Sequence, residues 1–155
     1  MQTFFKILIA SIAIGIALAS FAEGYDLKEF NYRRYKPNTS IGFYTKKTCD
    51  FINIDHIVSL KGAYDSGASS WAASRMKAFA NDRSNHVPSC GRVNSSKGSE
   101  GPSDFLRRSR DGRGLEYNIV RFCEYVHKYY TVKVNYGLSL VPNDKKVFRR
   151  CDRTI

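Results

Sequence analysis

Hydrophobic positions along the chain change period several times, and each change marks an element. Phe51 to Leu60, FINIDHIVSL, is apolar and rich in Ile, Val and Phe, broken by the adjacent polar pair Asp55 and His56. It predicts a strand bounded by Asp50 and Gly62, and Gly42 to Thr45 predicts a shorter one. KGAYDSGASS follows and predicts a loop. From Ser70 as N-cap, WAASRMKAFAND predicts a short helix with Trp71, Met76 and Phe79 on its apolar side. His86 to Cys90 predicts a second strand, and Gly91 a tight turn into a helix over Arg92 to Lys97. Residues 98–114, full of Gly, Ser, Asp and Arg, predict an exposed loop. Leu115, Ile119, Phe122, Val126 and Tyr130 then recur at spacings of three and four, which predicts one buried helical face. That helix is expected to run to Tyr136 and stop at Gly137, with Cys123 on its buried face or edge. A last short helix after Pro142 carries Cys151 back toward it. No repeat or low-complexity tract interrupts the series, so the expectation is one α+β domain.

The N-terminus changes the picture first. Lys6 supplies a positive start, Ile7 to Ala19 is unbroken apolar sequence, and Ser20-Phe21-Ala22 offers the small residues a signal peptidase reads. A membrane anchor is the rival, but the run falls short of the roughly 20 residues needed to cross a bilayer. Residues 1–22 are therefore read as a signal peptide and 23–155 as the exported domain, secreted or periplasmic, with no stable membrane insertion after cleavage. Its four cysteines, Cys49, Cys90, Cys123 and Cys151, are an even set in an exported chain, which favours disulfides. They lie far apart with no C-x-x-C pair, so a zinc site is rejected. Three connectivities are open. Cys49–Cys90 with Cys123–Cys151 is preferred, because each closes a stretch that reads as one packed unit.

Charge narrows the partners. The 155 residues carry a net +11 at pH 7 with a pI near 9.6. Such a balance favours polyanions: nucleic acid, anionic lipid or acidic polysaccharide. Tyr25, Phe30, Tyr32, Tyr35 and Tyr44 alternate with Arg33, Arg34, Lys36, Lys46 and Lys47, a mixture that stacks bases and holds phosphates in some proteins. Half-buried packing is the default reading of those aromatics. Arg107, Arg108, Arg110 and Arg113 make the expected loop the most basic part of the chain, a phosphate clamp if a phosphodiesterase centre lies beside it.

Candidate chemistry sits at the two ends of Asp55 to Lys97. Hydrolysing a phosphodiester needs an activated water and a cation for charge on the phosphoryl and leaving oxygens. Neutral imidazole suits the first task, and carboxylate and amide oxygens holding magnesium or manganese suit the second. Asp55 and His56 are neighbours on an extended run and so point to opposite sides. Asn94 and Lys97, three apart, share one face of the next helix. One carboxylate and one amide make a poor cage, so metal is expected to bind weakly until substrate phosphate joins it. Singly, each residue has an ordinary explanation: an ion pair, a satisfied histidine, a turn asparagine. His86 and His127 are assigned no role.

Taken together, DHIVSLKGAYDSGASSW, FANDRSNHVPSCGRVNSSKG and CEYVHKYYTVKVNYGL resemble the exported HNH endonucleases related to the C-terminal domain of the GmrSD restriction enzyme. The likeness covers roughly residues 49–151. It implies an α+β fold built on a ββα-metal (His-Me finger) core over about 49–98, with flanking C-terminal helices over 115–151. It also implies cleavage of DNA, ahead of RNA, with one divalent metal, Mg2+ or Mn2+. By that likeness His56 is the general base, Asp55 and Asn94 ligate the metal, Lys97 supports the phosphate end and Asn85 braces the loop holding His56. Arg92, Arg107 and Arg108 would contact substrate. Ser59 departs from the family's usual proline, and the region before Cys49 matches poorly. Two function classes follow: a low-specificity exported endonuclease, or a non-catalytic basic protein that binds nucleic acid or envelope polyanions. An antibacterial effector would share the first chemistry and add an immunity partner.

Overall fold

The sheet is one antiparallel pair, β1 (Ile52–His56) against β2 (His86–Cys90), in register from Ile52 opposite Cys90 to His56 opposite His86. The structure is a computed structural model that describes residues 24–105, 119–120 and 122–151. The expected signal peptide, Arg107, Arg108, Arg110, Arg113 and Leu115 lie outside the described residues.

β1 is shorter than its apolar run because Asn85 takes over as partner. Beyond His56, the Ile57 amide donates to the Asn85 carbonyl at 2.8 Å, and the Val58 amide to the Asn85 side chain at 2.8 Å. Ser59 then caps a helix, its hydroxyl accepting the Gly62 amide at 2.9 Å. The expected loop after Leu60 is thus helix α1 (Leu60–Asp65), followed by a 3-10 turn, Ala68–Ser70. Ser70 does not cap the next helix. α2 (Ala73–Asn81) starts after an uncapped Ala72, since Ser70 closes the 3-10 turn and extended Trp71 packs on Phe79 and Tyr136. Aromatic packing outweighs a single cap at this junction.

Gly42 to Thr45 is a turn, not a strand, pinned to the outer edge of β2 where the Phe43 amide donates to the Pro88 carbonyl at 2.8 Å. α3 (Gly91–Lys97) follows β2 directly. The start of the expected exposed loop is also packed: Pro102, Ser103 and Phe105 are buried, and Phe105 meets Tyr44 and Tyr125. α4 spans Phe122–Asn135 and ends before Gly137, whose φ of 65° suits glycine. Its buried face is Tyr125, Val126, Tyr129, Val132 and Lys133. The expected stripe shares only Val126 with that set; Ile119 is buried ahead of the helix, while Phe122 and Tyr130 sit at its margins. α5 (Pro142–Cys151) packs back on α4, joined by Cys123–Cys151; Cys49–Cys90 ties the 41–48 turn to β2. Both disulfides have the preferred connectivity.

Lys133 is a cation inside this core, 2% exposed, with its ammonium donating to the Ser66 hydroxyl and to the Ser139 carbonyl at 3.0 Å. Burial pulls its pKa down from 10.5 to about 8, against the milder upward pull of Asp144 and Asp65. The folded chain therefore releases this proton near pH 8, whereas the unfolded chain keeps it to about 10.5. The site's contribution to stability is lowest below pH 8 and rises through that window. In urea denaturation at pH 7 and pH 9.5, wild type should gain on Lys133→Met by about 1 kcal/mol between the two, after discounting for solvent screening. An unchanged difference between the two proteins would remove the buried-cation account.

Candidate active site

α3 lies along one face of β1 in a repeating register. Alternate strand residues point to one side. Phe51, Asn53 and Asp55 meet Gly91, Asn94 and Lys97, so two residues of strand answer three of helix. A Cβ on Gly91 would meet the Phe51 ring at 2.6 Å. The Asn94 side-chain nitrogen donates to the Asn53 side-chain oxygen, Oδ1, at 3.1 Å. The Lys97 ammonium reaches Asp55 Oδ1 at 3.2 Å and Oδ2 at 3.1 Å, and donates to the His56 carbonyl at 2.7 Å. Lys97 is fully buried, and the Tyr44 hydroxyl completes the cluster by donating to Asp55 Oδ2 at 2.6 Å. Burial raises the pKa of Asp55, while Lys97 and Tyr44 pull it back; burial and then the neighbouring carboxylate push Tyr44 well up.

His56 faces the other side, as the strand period requires. Its Nε2 lies 2.8 Å from the Ala80 carbonyl near the end of α2. A carbonyl only accepts, so Nε2 carries the hydrogen and the Nδ1 lone pair is left for chemistry. Burial lowers the His56 pKa to about 4, opposed by the Ala80 carbonyl, so the ring is neutral at physiological pH. The Tyr32 ring stands edge-on at 4.6 Å. Asn85, fully buried, holds Val58 with both ends of its amide, at 2.8 and 3.0 Å, and fixes the chain just beyond His56.

A cleft of about 860 Å3 opens along β1, lined by Asp55, His56, Asn53 and Asn94 together with Arg34 and Lys36 of the N-terminal segment. Asp55, His56 and Asn94 thus share one cavity. Lys97 contacts the carboxylate beneath it rather than the open space. Arg92 is exposed on α3, and Arg107 and Arg108 are outside the described residues.

Asn53, Tyr44 and His86 were missed by sequence reasoning. Asn53 had a signal, lying two residues before Asp55 and so on the same face. His86, given no role from sequence, touches the site: its Nε2 lies 3.0 Å from the same Ala80 carbonyl and 3.1 Å from His56 Nε2, with Tyr35 on its Nδ1 at 3.1 Å. Only the strand register, which sets residues 56 and 86 opposite each other, discloses that pair.

The donor set for a metal is thin. Among the described residues no group of three or more His, Cys, Asp or Glu gathers. Asp55 Oδ2 is taken by Tyr44 and Lys97, whereas Oδ1 has one long ammonium contact and keeps acceptor capacity. With its nitrogen on Asn53, Asn94 has its amide oxygen for a cation. These two oxygens fit a hard dication only when water and substrate complete the sphere.

Comparison with known proteins adds one relation. No family model matches the chain, and no solved structure does. An uncharacterized secreted protein from Arthroderma benhamiae is 33% identical over 96 residues, covering 61% of this chain and 43% of that protein. This chain is secreted. The secreted relative and the two closed disulfides agree on it. Among the described residues no helix is long and apolar enough to cross a membrane. The chain spans less than half of its relative's length.

Removing one member of a buried ion pair strands the other, at a cost of about 3–5 kcal/mol. Lys97→Met should lose that much stability in urea denaturation. Adding Asp55→Asn should recover most of it, since an amide still accepts from Tyr44. A double variant no more stable than the single one would contradict the pairing.

Proposed function

We propose that this protein is a secreted, metal-dependent endonuclease of the His-Me finger type, hydrolysing DNA phosphodiester bonds with low sequence specificity. The observation that carries the reading is His56: neutral, tethered through Nε2 to a backbone carbonyl, and lining the same cleft as Asp55 and Asn94. The order β1, β2, α3 suits a ββα-metal core, and the motif resemblance and the basic net charge support the same reading.

In this mechanism His56 Nδ1 takes the proton of a water as its oxygen bonds to phosphorus and the opposite P–O bond breaks. The leaving oxygen takes its proton from solvent. Arg34 and Lys36 draw the polyanion into the cleft, contacts that carry little base information. Asp55 Oδ1 and the Asn94 amide oxygen would hold the Mg2+ or Mn2+. When bound, that ion supplies Lewis-acid stabilisation of charge on the phosphoryl and leaving oxygens. Lys97 acts as a positioning residue, holding Asp55 and the His56 backbone together, and Asn85 braces the loop beyond them.

One observation favours the non-catalytic reading: Asp55 already has a buried ammonium as counter-ion. A plasmid assay separates the two. Oxidised residues 23–155 should nick supercoiled DNA in magnesium or manganese and not in EDTA. His56→Ala and His56→Gln, checked for folding by circular dichroism, should both lose about a hundredfold or more. Folded protein that shifts the plasmid on a gel but never cuts it would install the binding protein in place of the enzyme.

A further inference from the structure

Phe51 is an unexplained residue at the mouth of this cleft. The residue is 68% exposed, the largest fraction among the exposed bulky apolar residues described. A lone exposed aromatic is ordinary on any surface. This one is held. Its carbonyl accepts the Gly91 amide at 2.9 Å, and its ring lies so close to the Gly91 backbone that a Cβ there would come within 2.6 Å. The Cys49–Cys90 disulfide flanks both residues. One ring face is therefore seated on a rigid support, and little freedom is lost when something covers the rest.

Its neighbours define what would do so. Phe51 lines the same cleft as Arg34 and Lys36, both exposed and neither in an ion pair among the described residues. Among the described residues Asp55 is the one carboxylate lining the cleft, and it is matched by Lys97. The cleft is thus electropositive with an aromatic plate at one end. Phe51 and His56 lie five positions apart on extended chain, roughly 17 Å, a span of a few nucleotides. Cations tracking a backbone beside an aromatic that takes any base is how unpaired strands are held. A duplex keeps its bases stacked inside and offers no face to such a ring.

We propose that Phe51 is a stacking platform for an unpaired base, and that the cleft takes a single strand of DNA with its phosphates on Arg34 and Lys36. The proposal rests on the nuclease reading for the polymer that fills the cleft, so its test measures binding in EDTA, where cleavage plays no part. Fluorescence anisotropy of wild-type protein with a labelled 12-nucleotide oligothymidylate should show about tenfold tighter binding than with an abasic oligomer of equal length and charge. Phe51→Ala should erase that difference while leaving the abasic oligomer's affinity unchanged, and Phe51→Trp should restore it. The added indole should be quenched by oligothymidylate and not by the abasic strand, after subtracting the signal of Trp71. Arg34→Ala with Lys36→Ala should weaken both ligands together and lower the salt slope by about 1.4, close to two phosphates. Equal affinity for the two oligomers, or a Phe51→Ala variant that still tells them apart, would overturn the proposal. A protein that discriminates the oligomers but never cuts plasmid would keep the platform and lose the nuclease.

Discussion

Asp55 and Lys97 hold each other inside the protein, and most of the site's geometry descends from that pair. Neither charge is tolerable alone at such burial, and each is matched on its remaining bonds: Asp55 by the Tyr44 hydroxyl, Lys97 by the His56 carbonyl. Lys97 is the last residue of α3 and Asp55 the fourth of β1, so satisfying the charges fixes where the helix lies on the strand. Asn94 then falls opposite Asn53, and Gly91 beneath Phe51, without further adjustment. A two-stranded sheet has little stability by itself. Here it borrows rigidity from the helix clamped to its face and from the disulfide at its end.

The strand period divides the labour. Odd positions of β1 carry the carboxylate and the amide; His56, an even position, looks the other way to the end of α2, where Ala80 presents its carbonyl. The imidazole is therefore oriented by an element distinct from the one that orients the carboxylate. Burial keeps the ring neutral, while the cleft beside it is lined by exposed cations. For the proposed nuclease, a neutral base in an electropositive groove would suit an anionic ester, since the surroundings would attract substrate without protonating the base. His86 and Tyr35 extend the same hydrogen-bonded row toward the N-terminal segment, which makes residues 32–36 part of the site's wall.

Much of this was readable from the chain. The second strand, the helix after Gly91, the stop at Gly137 and the split between Asp55 and His56 all follow from local signals, whereas the cysteine pairing was a preference among three connectivities. Glycine conformation, strand alternation and cysteine parity act within a few residues or within a small set of choices. The misses share a different cause. Ser59 became a helix cap and Ser70 did not, because Asn85 pairs with Val58 and Trp71 packs on Tyr136, partners 27 and 65 positions away. The buried face of α4 turned out to centre on Tyr125, Tyr129 and Lys133, since its partners are the Phe105 turn, Phe148 of α5 and Ser66 just past α1.

Sequence by itself determined export, the even set of cysteines, the basic character and the residue types available for chemistry, each a property of composition or of near neighbours. Tertiary structure alone decided what those residues face. Lys97 turned inward to a carboxylate instead of outward to a phosphate, because α3 crosses β1 at a spacing no linear pattern encodes. His86 came to share a carbonyl with His56 through strand register. Phe51, one apolar residue in an apolar run, became an exposed plate seated on the backbone of a glycine forty positions later.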